Sequence, residues 1–331
     1  MAGTNQLVLL DDVAPAAPSI ALGSGVAGGA TAAEATQAGG VISVSGEAAA
    51  TISLTFSRSG GGSVIKTITG SGAAQAVVLS AADLTSLGDG SIAVTASATD
   101  AAGNISTAGT SSFVLDTTAP AALRLTAPAD SGVSASDGIT RNNSFSISAL
   151  ETGASWQFSS NSGGSWTSGS GTSFSLTDGN YAAGAIQVRQ IDQAGNISAV
   201  TSNSAALSME TAAPTFTSPT TASFSENLPA GATVYTAVAT DSNSITYSLT
   251  GTDASLFTIN SSSGVVTINS RPNFASKNSY ALSVQAVDVA GNTATQAVAF
   301  AVIPDAGTFK TANWTMGGAD WQVNKIGRAH V

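Results

Sequence analysis

Acidic side chains are what this sequence offers to chemistry, and they recur within a short motif. Asp100-Ala-Ala-Gly103-Asn104, Asp192-Gln-Ala-Gly195-Asn196 and Asp288-Val-Ala-Gly291-Asn292 repeat with a period of about 95 residues. An acid followed shortly by Ala-Pro forms a second series at Asp12-Val-Ala-Pro15, Asp116-Thr-Thr-Ala-Pro120 and Glu210-Thr-Ala-Ala-Pro214. Carboxylates drawn from separate segments suit calcium, which takes about six to eight oxygen ligands in a loose geometry. The same loop residues also suit plain turn formation, because Asp opens Asx turns while Gly and Asn tolerate left-handed backbone. Both readings stand on the sequence.

Other chemistries are poorly served. There is no cysteine, so disulfides and thiolate metal sites are excluded, and the one histidine is His330. That residue lies in the closing Ile-Gly-Arg-Ala-His-Val, 326–331, which resembles the translated start of a sequencing adapter. No motif pairs carboxylates for glycoside hydrolysis, and no nucleophile stands with a base. The chain is expected to be no enzyme. Gly23, Gly25 and Gly28 match the dinucleotide fingerprint as text, but no amphipathic helix follows before Gly39, so a loop is the better reading. Ser159-Ser-Asn161-Ser-Gly163-Gly-Ser165-Trp166 resembles the Asp-box hairpin of sialidases, a structural turn. Asn104-Ile-Ser106 and Asn196-Ile-Ser198 match glycosylation acceptors but fall inside the repeated loop.

The net charge is -10, with only 10 basic residues and those scattered, so nucleic acid is not an expected partner. Lys66, Lys277 and the arginines read as solvated surface. No apolar run is long enough to span a membrane. Residues 1–10 lack the basic and apolar regions of a leader, and the chain reads as cut from a longer one. Charged residues make up 9%, yet Val, Ile, Leu and Phe alternate cleanly, which marks a folded chain.

A period near 95 residues is the length of one β-sandwich. The linkers place modules at 13–115, 116–210 and 211–303, preceded by the end of an earlier module or linker at 1–12. A truncated further module starts at 304–325. Proline fixes φ, so each joint is a semi-rigid strand entry. In the first module Ile52, Leu54 and Phe56 alternate as a half-buried strand, and 60–62 supply a glycine turn. A short helix is predicted after Ser80, with Ser80 and Asp83 as a capping box, Leu79 and Leu84 as a staple and Gly88 as the stop. The second module pairs Phe145 with Ile147, Trp156 with Phe158 and Phe174 with Leu176, and Tyr181 follows an Asp-Gly-Asn in the manner of a tyrosine corner. The third shows Ile245, Tyr247 and Leu249, then Val266 and Ile268 after a turn at 261–264.

The acid-x-x-Ala-Pro linkers, 84–90 and the Asp-x-Ala-Gly-Asn loops make the first two modules similar to bacterial immunoglobulin-like repeats of large type I-secreted, biofilm-associated adhesins. The third resembles a cadherin-like domain through Ser225-Glu226-Asn227-Leu228-Pro229-Ala-Gly231, Ala239-Thr240-Asp241, Phe257-Thr-Ile259 and 280–292. The resemblance implies an all-β chain, tandem immunoglobulin-like and cadherin-like β-sandwiches in an extended array. It also implies that each repeated loop faces the preceding module beside the entering linker. Asp100 then comes near Asp11 and Asp12, Asp192 near Asp116, and Asp288 near Asp241 and Glu210, with Ca2+ as the cofactor. At the other pole of the third module Glu226 and Asp305 would contribute, but Asn273-Phe274-Ala275 stands where the family carries an acidic pair.

The expected function is that of a non-catalytic stalk of a bacterial cell-surface adhesin, extracellular and stiffened by calcium at its joints, supporting adhesion or biofilm formation. Its partners are calcium ions, adjacent modules of the same long chain, and a cell-surface glycan or protein ligand; the fragment itself is monomeric. The alternative is an accessory spacer of a secreted polysaccharide-active enzyme, with Trp156 and Trp166 stacking on sugar.

Overall fold

The computed structural model describes residues 10–305; the expectations for 306–331 lie outside the described residues. The chain divides into two compact units, Met1–Ala212 with Val289–Asn292, and Ala213–Asp288 with Thr293–Val331. It is nearly all β, as the alternation of apolar residues requires.

The first unit holds two hydrophobic cores, each between sheets. In the earlier sandwich the strands Ser63–Thr69, Thr51–Arg58, Gly90–Thr99 and Gly109–Leu115 lie side by side in that order, all antiparallel. Ser19–Leu22, Ile42–Ser45 and Gln75–Val77 form the second sheet. Register places Ile52, Leu54 and Phe56 opposite Ala98, Ala96 and Val94, and all six are buried. Their partners on the alternate parity, such as Ser53 and Thr55, face outward as a period-two strand demands. The glycine turn falls where expected: Gly60 has φ 71°, and Arg58 N–H donates to the Gly62 carbonyl at 3.2 Å.

The helix is Ala81–Leu87, with the reciprocal Ser80 and Asp83 capping box formed, Leu79 and Leu84 buried, and Gly88 at φ 66° closing it. A second helix, Ala32–Thr36, was not expected; Thr31 and Glu34 cap it in the same way. It is only five residues long, and a Cβ on Gly25 would lie 2.3 Å from the Glu34 carboxylate, so an acid sits over the glycine loop. A negatively charged group there opposes phosphate binding, in agreement with a plain loop.

The later sandwich of the first unit has a sheet of Thr167–Ser168, Ser155–Ser159, Gln187–Ile191 and Thr201–Ser202. Against it lie Ser173–Ser175, Ser144–Ser148 and Arg124–Thr126, and a three-stranded sheet of Gly179–Tyr181, Leu207–Met209 and Ile139–Thr140. Phe158 and Phe174 stack with centroids 4.4 Å apart, and Phe145 stacks on Phe174 at 5.1 Å. The tyrosine corner forms, with Tyr181 O–H donating to the Thr177 carbonyl at 2.8 Å.

In the second unit Thr221–Ser225, Thr293–Ile303, Ser279–Val287 and Thr246–Thr250 make one sheet, the first pair parallel. Thr233–Thr236, Val265–Ile268 and Phe257–Ile259 make another, and Thr215–Phe216 pairs with Ala239–Thr240. Phe224 and Phe257 meet in the core, and each lies within 6.5 Å of the other and of Tyr280 and Phe300 between ring centroids. The 261–264 turn needs its glycine: Gly264 has φ 69°, and a Cβ there would stand 2.2 Å from the Ala237 carbonyl.

Candidate metal centre

The three repeated loops start where a long strand ends, so their Asp residues inherit the strand's direction. In the first two loops the carboxylate organises its own turn. Asp100 accepts from the amides of Ala102 and Asn104 and from Asn104 Nδ2, all between 2.8 and 2.9 Å. Those bonds, led by the Asn104 side chain, hold the Asp100 carboxyl below its ordinary range. Asp192 accepts from the amides of Gly195 and Asn196 and from Asn196 Nδ2, between 2.7 and 2.9 Å. Turn chemistry is thus what shapes these two loops.

The loops do meet the linkers, but through asparagine. Asn104 Nδ2 donates to the Asp11 carbonyl and Asn196 Nδ2 to the Asp116 carbonyl, both at 3.0 Å. Asn292 Nδ2 donates to the Glu210 carbonyl and to its carboxylate, both at 2.9 Å. Asp11 and Asp12 are exposed. Among the described residues neither of the first two joints gathers three carboxylates within reach of one ion.

A second set of anchors escaped the sequence reading. Asp89 Oδ1 accepts from Thr117 N–H at 2.9 Å and from its hydroxyl at 2.7 Å, and Oδ2 from the Thr118 hydroxyl at 2.6 Å. Burial pushes the Asp89 carboxyl up, and these hydrogen bonds outweigh it to leave the group below its usual range. Asp178 Oδ2 accepts from Thr211 N–H at 3.1 Å and from its hydroxyl at 3.0 Å. The available signal was an Asp-Gly pair preceding each acid-Thr linker within its own module. Each linker proline, Pro15, Pro120 and Pro214, is buried.

The second unit brings two of the predicted acids together. Asp288 follows the strand Ser279–Val287 and is fully buried; Asp241 follows Ala239–Thr240 and is half-buried. A carboxylate oxygen of each lies within 4.8 Å of the other. Two oxygens bound to one calcium at about 2.4 Å can be no farther apart than about twice that distance. The donor set is all oxygen, as calcium prefers. Two anions at this spacing repel by about 1 to 4 kcal/mol, depending on the effective dielectric, and a dication reverses the sign.

At the other pole of that unit Glu226 accepts from Asp305 N–H at 2.8 Å and Phe274 N–H at 3.1 Å. These two backbone bonds hold its carboxyl below the ordinary range. Asn227 bonds the Asp305 carboxylate and accepts from Arg271. Asn273 caps its own turn, accepting from Ala275 and Ser276. Glu226 and Asp305 are therefore neighbours, with amide and guanidinium groups around them.

Lys277 is exposed and Lys66 half-buried, and each pairs with an acid, Asp253 at 2.7 Å and Asp83 at 2.5 Å. One expectation needs revision. Trp156 is a core residue, 3% exposed, packed on Phe158 and Phe174, with its indole N–H donating to the Gly171 carbonyl at 2.9 Å. Trp166 lies nearer the surface beneath the Arg189 guanidinium, 4.0 Å from the ring centroid.

Comparison with known proteins bears on the second unit. The family described as "Cadherin domain" matches residues 220–303. No curated protein matches the chain. Among solved structures, a human protocadherin-24 EC1-2 fragment is 23% identical over 28% of this chain and 44% of its own, with a TM-score of 0.26. The third cadherin domain of human protocadherin 7 is 18% identical over 28% of this chain and 87% of its own, at 0.26. Drosophila N-cadherin EC1-3 is 18% identical over 76% of this chain and 89% of its own, at 0.28. Within an all-β chain, residues 220–303 are a cadherin-like domain.

Proposed function

We propose that this chain is part of the non-catalytic stalk of a bacterial cell-surface adhesin, working outside the cell, with calcium held at the entrance to the cadherin-like domain. The observation that carries the reading is the Asp241 and Asp288 pair, whose oxygens fit one ion. Glu210, the acid of the entering linker, is the expected third carboxylate. Supporting it, Asn292 stands four residues beyond Asp288 and bonds Glu210. Calcium bound there would add its affinity to the stability of the ordered joint, since anything binding only the ordered state favours it. At the first two joints Asp100 and Asp192 already serve their own loops, so the proposal centres on the third.

No helix among the described residues is long and apolar enough to cross a membrane. The adhesive ligand is expected elsewhere on the longer chain, with these modules as spacers that transmit position. Small-angle scattering of the whole chain in calcium and in chelator tests the reading. The expected result is a stiff, extended particle in calcium that becomes flexible in chelator, and an Asp241→Asn chain that behaves as chelated in both. Identical profiles in the two conditions would remove the stiffening role.

A further inference from the structure

We infer that the joint between the first two sandwiches is locked without any metal, so that the chain carries a permanently fixed joint ahead of the calcium-set one. Both sandwiches and their linker lie within the first unit, and the linker is held from both sides. From the earlier sandwich, Asp89 takes three hydrogen bonds from Thr117 and Thr118, and the Ala30 carbonyl accepts Asp116 N–H at 3.0 Å. From the later one, Asn196 Nδ2 holds the Asp116 carbonyl, and Gln190 Nε2 holds the Ala121 carbonyl at 2.5 Å. Asp116 is thus bonded to both modules, and the next residue, Thr117, to the earlier one. A tether free to swivel would not keep both sets.

The backbones also touch. The loop containing Gln193 and Ala194 rests on 28–31 of the earlier sandwich. A Cβ on Gly28 would lie 2.9 Å from the Gln193 carbonyl, and one on Gly29 would lie 3.1 Å from Ala194 Cβ. Gly29 has φ 126°, which side-chain-bearing residues rarely adopt. The glycine-rich stretch that mimics a dinucleotide fingerprint therefore has a different use: it lets the neighbouring module's loop approach within van der Waals distance. Both oxygens of Asp89 and both of Asp192 already accept hydrogen bonds, so charge here is balanced by donors. A rigid joint of this kind transmits orientation whatever the calcium concentration.

The chain has no cysteine, so label sites can be introduced singly. Spin labels at Ser71→Cys and Ser170→Cys span the first two sandwiches, and labels at Ser170→Cys and Ser262→Cys span the later two; all three positions are exposed. Pulsed dipolar distances are measured on the full chain in calcium and in chelator. The inference expects one narrow peak for the first pair in both conditions. A broad distribution for that pair in either condition overturns it. The second pair reads the calcium proposal separately, since that peak should be lost in chelator, and its behaviour does not bear on the first. Gly29→Val and Asn196→Ala should each cost the first pair its narrow peak while both modules stay folded by circular dichroism. Retention of the narrow peak in both variants would contradict the assigned lock.

Discussion

Replacing Trp156 by Ala separates a core residue from a sugar platform. The ring is 3% exposed, lies 5.8 Å from Phe174 and 6.1 Å from Phe158 between centroids, and blocks the space beside Gly169, where a Cβ would stand 2.2 Å from the indole. A buried Trp removes about 150 to 250 Å² from water, which at about 25 cal/mol per Å² gives roughly 4 to 6 kcal/mol as an upper bound. Measured Trp→Ala changes in cores run at about 3 to 5 kcal/mol, and that is the expected loss for the second sandwich. Trp166→Ala should cost about 1 to 2 kcal/mol, since it removes a half-buried cation-π contact with Arg189. Urea unfolding of the chain followed by far-ultraviolet circular dichroism reads both. A Trp156→Ala loss below about 1 kcal/mol would refute the core assignment.

The Asp253 carboxyl is held below its ordinary range first by Lys277, 2.7 Å away, then by the Ala281 amide. Its folded pKa is depressed, so its contribution is complete above the unfolded value near about pH 4 and fades as pH falls through the folded one. Acid titration should show the cadherin-like domain losing stability below about pH 4, and Asp253→Asn should flatten that loss; an unchanged acid limb would count against it. Tyr181→Phe removes the bond to the Thr177 carbonyl and should lower the stability of the second sandwich by about 1 kcal/mol in the same urea assay. Gly264→Val forces a branched side chain to φ 69° and against the Ala237 carbonyl, and should leave the cadherin-like domain mostly unfolded by hydrogen exchange.

Much of the fold is visible in the sequence because its alternation is local. Ile52, Leu54 and Phe56 show which face is buried before any partner strand is known, and Ser80 and Asp83 announce their helix by chemistry confined to four residues. The Ala32–Thr36 helix is harder to see: one turn of mostly alanine has little periodicity, and only the Thr31 and Glu34 cap marks it. The loop acids were legible as a repeat, but not the division of labour within it. Asp100 and Asn104 are equally good turn formers, and only three-dimensional placement shows the Asn reaching the linker while the Asp serves its own turn. Trp156 and Trp166 look alike in sequence because a strand's parity is blurred by the hairpin between them. Asp89 and Thr117 are 28 residues apart, and nothing short-range joins them.

Titration of the whole chain with calcium, read by calorimetry beside an Asp241→Asn chain, tests the central claim. Asp241 is half-buried and lies outside the sheets, so the variant is expected to fold. The account predicts a saturable site in the unaltered chain that is lost or greatly weakened on removing the one carboxylate charge. Binding of equal strength in both chains, or no binding in either, would contradict it.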